Sequence, residues 1–354
     1  MPRARVNCSK SSRRTCKSDL LPVPGVSPGD RIHLSAGDQG EAVADVQRRL
    51  QSLGLATGLD PHGVFGDGTR AAVEAFQHRR GLRIDGVCAQ QTWSALVEAG
   101  RRLGNRFLYR RTPMLRGDDV AELQQRLSAL GFDIGRVDGI FGDQTSAGLG
   151  EFQRNVGLPV DGIAGGSTVA ELLRFGTLHV DTELVSAVRD RERLRQAPRT
   201  LSGRRVAVGE EGGLDAAVGA LRRLLVSRGA LVTTHHHPDG SVQASEANAG
   251  GAEVYLVLRL DATHNHCATA YYSGYRYSSP GGRHLAELLQ ATLPRRLGVE
   301  DGGCRGMSLP VLRETQMPAV ICEIGPASVM VEQAPELAKA VVSALTEWVD
   351  TPWD

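Results

Sequence analysis

The chain has 354 residues, 41% of them hydrophobic and 23% charged, enough to build two or three buried cores in a globular protein. Lys and Arg number 41 against 40 Asp and Glu, a net charge of +1, so the overall balance does not call for nucleic acid or an anionic membrane as partner. Six cysteines (Cys8, Cys16, Cys88, Cys267, Cys304 and Cys322) stand apart with no C-x-x-C pair, which argues against a zinc knuckle or a disulfide framework and for reduced thiols.

Residues 1–30 are basic and rich in Ser and Pro, with no period in their few apolar positions, and read as a flexible tail. They contain no unbroken apolar run of about seven residues followed by a cleavage site, and no later run approaches a membrane span. The expected location is the cytoplasm.

From residue 31 the chain repeats itself. The first copy, residues 31–104, holds D-V-Q-R-R-L-Q-S-L-G, then H-G-V-F-G-D-G-T, then A-F-Q-H-R-R-G-L-R-I-D-G. The second, residues 112–176, holds E-L-Q-Q-R-L-S-A-L-G, then D-G-I-F-G-D-Q-T, then E-F-Q-R-N-V-G-L-P-V-D-G. Gly66 and Gly142, Gln77 and Gln153, and Asp85 and Asp161 pair up at one constant offset, the mark of a duplication. Each copy predicts three short helices. In the second, Val120, Leu123, Leu127 and Leu130 fall at helical spacing before Gly131; Asp143 is the expected N-cap of a helix carrying Leu149, Phe152 and Gln153; residues 168–173 form the third. Asp138-Gly139 and Asp161-Gly162 are turn dipeptides. The three motifs, recurring in order, resemble the peptidoglycan-binding module of cell-wall hydrolases, which implies a three-helix bundle with a groove for wall peptide or glycan. The first copy departs from that pattern at Pro61-His62-Gly63.

Residues 177–200 alternate Arg, Glu and Asp and read as a charged helical linker closed by Pro198. Residues 201–354 then alternate strands and helices. Strands are expected at 205–208, 230–234, 254–260, 270–273 and 319–323, and helices at 214–228, 282–293 and 335–349, which implies a βαβ unit within a largely parallel sheet. The last strand, in M-P-A-V-I-C-E-I-G-P, delivers Glu323 to the sheet's rim, where open α/β sheets keep their chemistry. The fold class is thus multidomain: two all-α three-helix peptidoglycan-binding repeats, then an α/β amidase-like domain whose mostly parallel sheet is covered by helices.

The order G-G after the first strand, T-T-H after the second, A-N-A-x-x-A-E before the third and P-A-V-I-C-E-I-G late resembles the zinc-dependent N-acetylmuramoyl-L-alanine amidases over roughly residues 201–350. That resemblance implies zinc on three protein ligands, an open position for water, and a glutamate that takes the water's proton. Laid on this chain it puts the general base at Glu323, the first ligand histidine at Glu211 and the last at Arg259. The family's asparagine falls on Asp261, Glu210 is a neighbour, and the segment for the ligand glutamate is nearly absent, since only Glu210 to Gly213 separate Gly209 from Leu214. A guanidinium offers no lone pair, so the expectation is no metal here and an ion pair from Arg259 to Glu323, Glu211 or Glu210. His235-His236-His237 and His264-x-His266 are expected to be solvated rather than a relocated zinc site, and Cys322 to be a core thiol.

The order of parts and the arginine are also similar to actinobacterial, cytoplasmic, non-catalytic amidase-like regulators of peptidoglycan synthesis. That resemblance implies a peptidoglycan-synthesis enzyme (the enolpyruvyl transferase) and a Ser/Thr kinase as partners beside peptidoglycan or its precursor, with Thr351 and the tail serines as the available hydroxyls. The resulting expectation is a catalytically defective binding or regulatory protein; the alternatives are an active zinc-dependent N-acetylmuramoyl-L-alanine amidase and an exported, wall-anchored binding protein.

Overall fold

The computed structural model describes residues 32–175, 185–274 and 276–350, with backbone alone at 185 and 186. The basic tail, the first part of the linker and Thr351 lie outside the described residues.

The first repeat consists of β1 (His33–Leu34), α1 (Glu41–Ser52), α2 (Asp67–Arg80), β2 (Cys88–Ala89) and α3 (Gln90–Ala99), the two short strands pairing antiparallel. The second consists of α4 (Asp118–Ala129), α5 (Asp143–Asn155) and α6 (Gly166–Arg174). Leu123, Leu127, Leu149 and Phe152 interdigitate in its core, as Leu50, Phe65, Phe76 and Leu96 do in the first. Asp143 is not the N-cap: Gly142 occupies that position in extended conformation, and Asp143 starts the helix, where its charge meets the unpaired N–H groups of the first turn.

Buried glutamines explain why the motifs recur. Gln124 donates through Nε2 to Asp138 Oδ1 (2.9 Å), Ile140 O (3.0 Å) and Thr145 Oγ1 (3.0 Å), while its Oε1 accepts from Gly139 N (2.8 Å). Gln153 does the same for Asp161, Ile163, Thr168 and Gly162. Each glutamine thereby ties one helix to the following Asp-Gly turn and to the start of the next helix. In the first copy Gln47 still takes Val64 O (2.9 Å) and Thr69 Oγ1 (3.0 Å), but the Pro61 carbonyl (3.2 Å) stands in for the missing carboxylate. Asp60 instead secures the loop by accepting from Thr69 N at 2.6 Å and Gly66 N at 3.1 Å.

After the linker helix α7 (Val185–Gln196) come β3 (Arg205–Glu210), α8 (Asp215–Ser227), β4 (Leu231–His236), α9 (Gly240–Ala249), β5 (Val254–Leu260) and β6 (His266–Tyr272). The chain closes with α10 (Pro280–Leu297), β7 (Glu300–Met307), α11 (Pro310–Arg313), β8 (Ala319–Ile324), α12 (Ala327–Glu332) and α13 (Ala334–Asp350). Six strands form one sheet in the order β4-β3-β5-β8-β6-β7, parallel throughout except where β6 runs against β8. Val206, Val208, Leu256, Leu258, Val320 and Cys322 face a core shared with α8, α10 and α13. On the other face Ala207, Tyr255, Val257, Ala319 and Ile321 belong to an apolar cluster continuous with the second repeat.

Three strands run further than their sequences suggest: β3 continues to Glu210, β4 to His236, and β6 begins at His266 instead of 270. Neighbouring ladders extend them, since Glu210 pairs with both His236 and Leu258, and Cys267 with Ile324. The Gly-rich run E-D-G-G-C-R-G-M carries little strand propensity and becomes β7 through its parallel ladder with β6. The linker is less solvated than its charge suggests: Asp190 accepts from the Tyr277 hydroxyl, and Leu194 packs against the sheet-domain core.

Arginines join the parts. Arg80 of the first repeat grips Asp118 of the second with two bonds of 2.7 Å. Arg116 reaches Glu314 at 2.6 Å, and Arg313 on α11 donates to Asp138 O (2.8 Å) and to Glu98 Oε2 (2.8 Å), touching both repeats at once. Gly81 ends α2 with φ +63° and receives Ser308 N on its carbonyl at 2.6 Å; a Cβ there would lie 2.7 Å from Ser273 O.

Two outcomes follow from these contacts. Gln124→Leu leaves the Asp138–Ile140 turn with buried, unpaired groups, so hydrogen exchange in peptides of the second repeat should accelerate by the equivalent of about 2–3 kcal/mol while the first repeat is unchanged. Arg313→Met strands the half-buried Glu98 carboxylate and should cost about 2 kcal/mol, read as faster exchange in both α3 and the Asp138 turn; unchanged exchange in α3 would contradict the clamp.

Candidate functional site

The parallel register of β3, β5 and β8 brings the sequence-predicted residues to one edge. Arg259 stands directly across from Glu323, and Ala268 of β6 flanks Glu323 on its other side. Strand alternation puts both on the face carrying Tyr255, Val257 and Ile321, the face toward the second repeat. Glu211, one residue past the end of β3, turns to the same face and closes an ion pair with Arg259, whose Nε and Nη2 both donate to Glu211 Oε1, the former at 3.1 Å. Glu323 is half-buried and forms no hydrogen bond or ion pair among the described residues.

Glu210 points the opposite way, so it is no partner for Arg259. It is 3% exposed and accepts from Gly212 N (2.9 Å) and Leu214 N (3.2 Å), capping the approach to α8. His236 Nδ1 also meets its Oε1; that hydrogen bond, with the carboxylate charge, raises the His236 pKa. The three consecutive histidines diverge. His235 reaches Glu246 (3.1 Å) and stands edge-on to Tyr255, while His237 accepts from Asp239 N (2.9 Å).

The second histidine pair lies at an exposed turn, as expected of a solvated loop, and the turn also gathers its side chains around a carboxylate. His266 is the first residue of β6, and the turn before it brings Asp261, His264 and His266 together, with their potential ligand atoms all within 4.8 Å of one another. Asp261 Oδ2 lies 2.9 Å from His264 Nδ1 and 3.6 Å from His266 Nε2. Burial works to raise the Asp261 pKa, but hydrogen bonds from Thr263 and His264 outweigh it and hold the carboxyl well below the usual range. Sequence reasoning noted Asp261 only as a stand-in for an asparagine; the signal was the spacing D-x-x-H-x-H directly after an apolar strand. Cys322 is fully buried, and burial pushes its thiol pKa well up, as befits a core side chain.

The donor set at the zinc position implied by the family resemblance does not fit a zinc ion. Arg259 occupies one of its corners with a permanent cation already committed to Glu211, and a guanidinium has no electron pair to give.

Residues 210–342 match the N-acetylmuramoyl-L-alanine amidase family, and residues 39–96 and 116–172 match a peptidoglycan binding domain. The N-acetylmuramoyl-L-alanine amidase CwlM of Mycobacterium tuberculosis is 34% identical over 344 residues, spanning 86% of this chain and 84% of that protein. The N-acetylmuramoyl-L-alanine amidase CwlL of Bacillus licheniformis is 31% identical over 162 residues, 39% of this chain and 44% of that one. Among solved structures, the N-acetylmuramoyl-L-alanine amidase of Clostridium difficile 630 aligns with 42% of this chain and 98% of its own at 19% identity and a TM-score of 0.37. No helix among the described residues is long and apolar enough to cross a membrane. With two peptidoglycan binding domains ahead of an amidase domain, and a relative 34% identical across most of both chains, the chain belongs to the N-acetylmuramoyl-L-alanine amidase family.

Proposed function

We propose that this protein binds peptidoglycan or its precursor and acts as a regulatory member of the amidase family in cell-wall synthesis without hydrolysing the muramoyl-L-alanine amide bond. The observation that carries this reading is the Arg259–Glu211 ion pair beside Glu323, which has no partner among the described residues. A general base is useful only next to an activated water, and zinc activation of that water requires electron-pair donors where Arg259 stands. A dication about 4 Å from a guanidinium would be opposed by on the order of 8 kcal/mol at a surface-like dielectric, twice the unit-charge value. Residues 31–104 and 112–176 serve in this reading as ligand-binding modules, residues 177–200 as their connection, and residues 201–354 as the scaffold that presents them.

The partners proposed are a cytoplasmic enzyme of precursor synthesis and a Ser/Thr kinase, by similarity to the non-catalytic regulators. The competing reading is an active zinc amidase using Glu323, and the name of the mycobacterial relative favours it.

Incubation of the purified chain with peptidoglycan separates the two. No free amino termini should appear above background, with or without chelator; chelator-sensitive release would establish the amidase instead. Co-sedimentation with the same peptidoglycan should persist in Arg259→Ala. That variant should lose at most about 1 kcal/mol of stability, since its ion pair is about one-third exposed.

A further inference from the structure

We propose that Asp261 Oδ2, His264 Nδ1 and His266 Nε2 form a site for one transition-metal dication of the zinc class, separate from the family position that Arg259 blocks. This inference does not rest on the functional reading above: a metal at this turn is compatible with a protein that hydrolyses nothing.

The turn that carries the donors is anchored at both ends. Asp261 N donates to Ile324 O (3.0 Å), Gly325 N to His266 O (2.9 Å) and Glu300 N to Asn265 O (3.1 Å), so β8 and β7 together set the positions of the first and last donor residues. The carboxylate is oriented as well. Its Oδ1 accepts from Thr263 N (2.7 Å), Thr263 Oγ1 (2.7 Å) and His264 N (3.1 Å), which leaves Oδ2 facing the two rings. Supports of this kind, made to the oxygen that does not bind, are what hold a metal ligand in place.

The spacing suits a small tetrahedral ion. Two donors, each about 2.0–2.1 Å from zinc at the tetrahedral angle, sit about 3.3 Å apart. The observed separations from Asp261 Oδ2, 2.9 Å and 3.6 Å, bracket that value; the two ring nitrogens, within 4.8 Å of each other, must close to about the same spacing when an ion binds. Two imidazole nitrogens and one carboxylate oxygen favour zinc, cobalt, nickel or copper over magnesium or calcium, which take oxygen-only shells. His264 would bind through Nδ1 in the tautomer that keeps its proton on Nε2, and its 67% exposed side chain can make the small adjustment. Three protein donors leave a fourth position for water. Arg259 lies two residues upstream with its charge compensated by Glu211, so a dication here does not face an unpaired cation.

Full-length protein stripped with chelator and titrated with Zn²⁺ against a chromophoric competitor should bind one equivalent at this site. His264→Ala and His266→Ala should each weaken binding at least about tenfold, as should Asp261→Asn, whereas Arg259→Ala and His237→Ala should not. Because His264 is on the surface, His264→Ala reports on ligation without risk to the fold; zinc should raise the melting temperature of the parent chain and should not raise that of this variant. Cobalt substitution should give tetrahedral visible absorption that His266→Ala abolishes. The proposal is overturned if the parent chain binds no stoichiometric zinc, if a His264→Ala/His266→Ala double variant binds as tightly as the parent, or if affinity instead follows substitution of His235 and His237.

Discussion

The hydrogen-bonded register of β3, β5 and β8 determines which side chains meet at the carboxyl edge of the sheet. A strand presents alternate residues to alternate faces, so once Arg259 is paired across from Glu323 the two must emerge on the same face, next to the turn that follows β3. That constraint makes the Arg259–Glu211 contact, and it sends Glu210 through the sheet to His236 and the entrance of α8. A slip of one residue would exchange the two glutamates and leave a guanidinium against apolar core.

The same edge carries the residues on which the proposed function turns. Arg259 and Glu323 face each other across β5 and β8, and the guanidinium is paired with Glu211. A few residues away, the turn between β5 and β6 gathers three side chains of the right chemistry into a separate cluster. Both arrangements depend on backbone bonds to β8, which therefore organises the whole edge.

The repeats attach to this domain through charge as well as apolar surface. Arg313 and Arg116 cross between units in half-buried ion pairs, and such pairs contribute more to relative orientation than to net stability, because desolvation offsets much of their attraction. Within each repeat the buried glutamines do a comparable job at shorter range. Each fills its hydrogen-bonding capacity on a turn and two helices, so a single amide sets the geometry of a small three-helix unit whose apolar core alone would leave the turns free.

The duplication, the helical periods and the strand that carries Glu323 were all legible in the amino-acid sequence, because period, turn dipeptides and glycine stops act over a few residues. That the Arg259 guanidinium offers no electron pair was legible too, since it follows from the side chain's own electronic structure. Other features were not. The choice of Glu211 over Glu210 as partner, the lengthening of β3, β4 and β6, the Gly-rich β7 and the convergence of Asp261 with His264 and His266 are consequences of ladders between strands distant in sequence. Local propensity says nothing about such ladders, so the faces and neighbours of these residues were decided only when the sheet assembled.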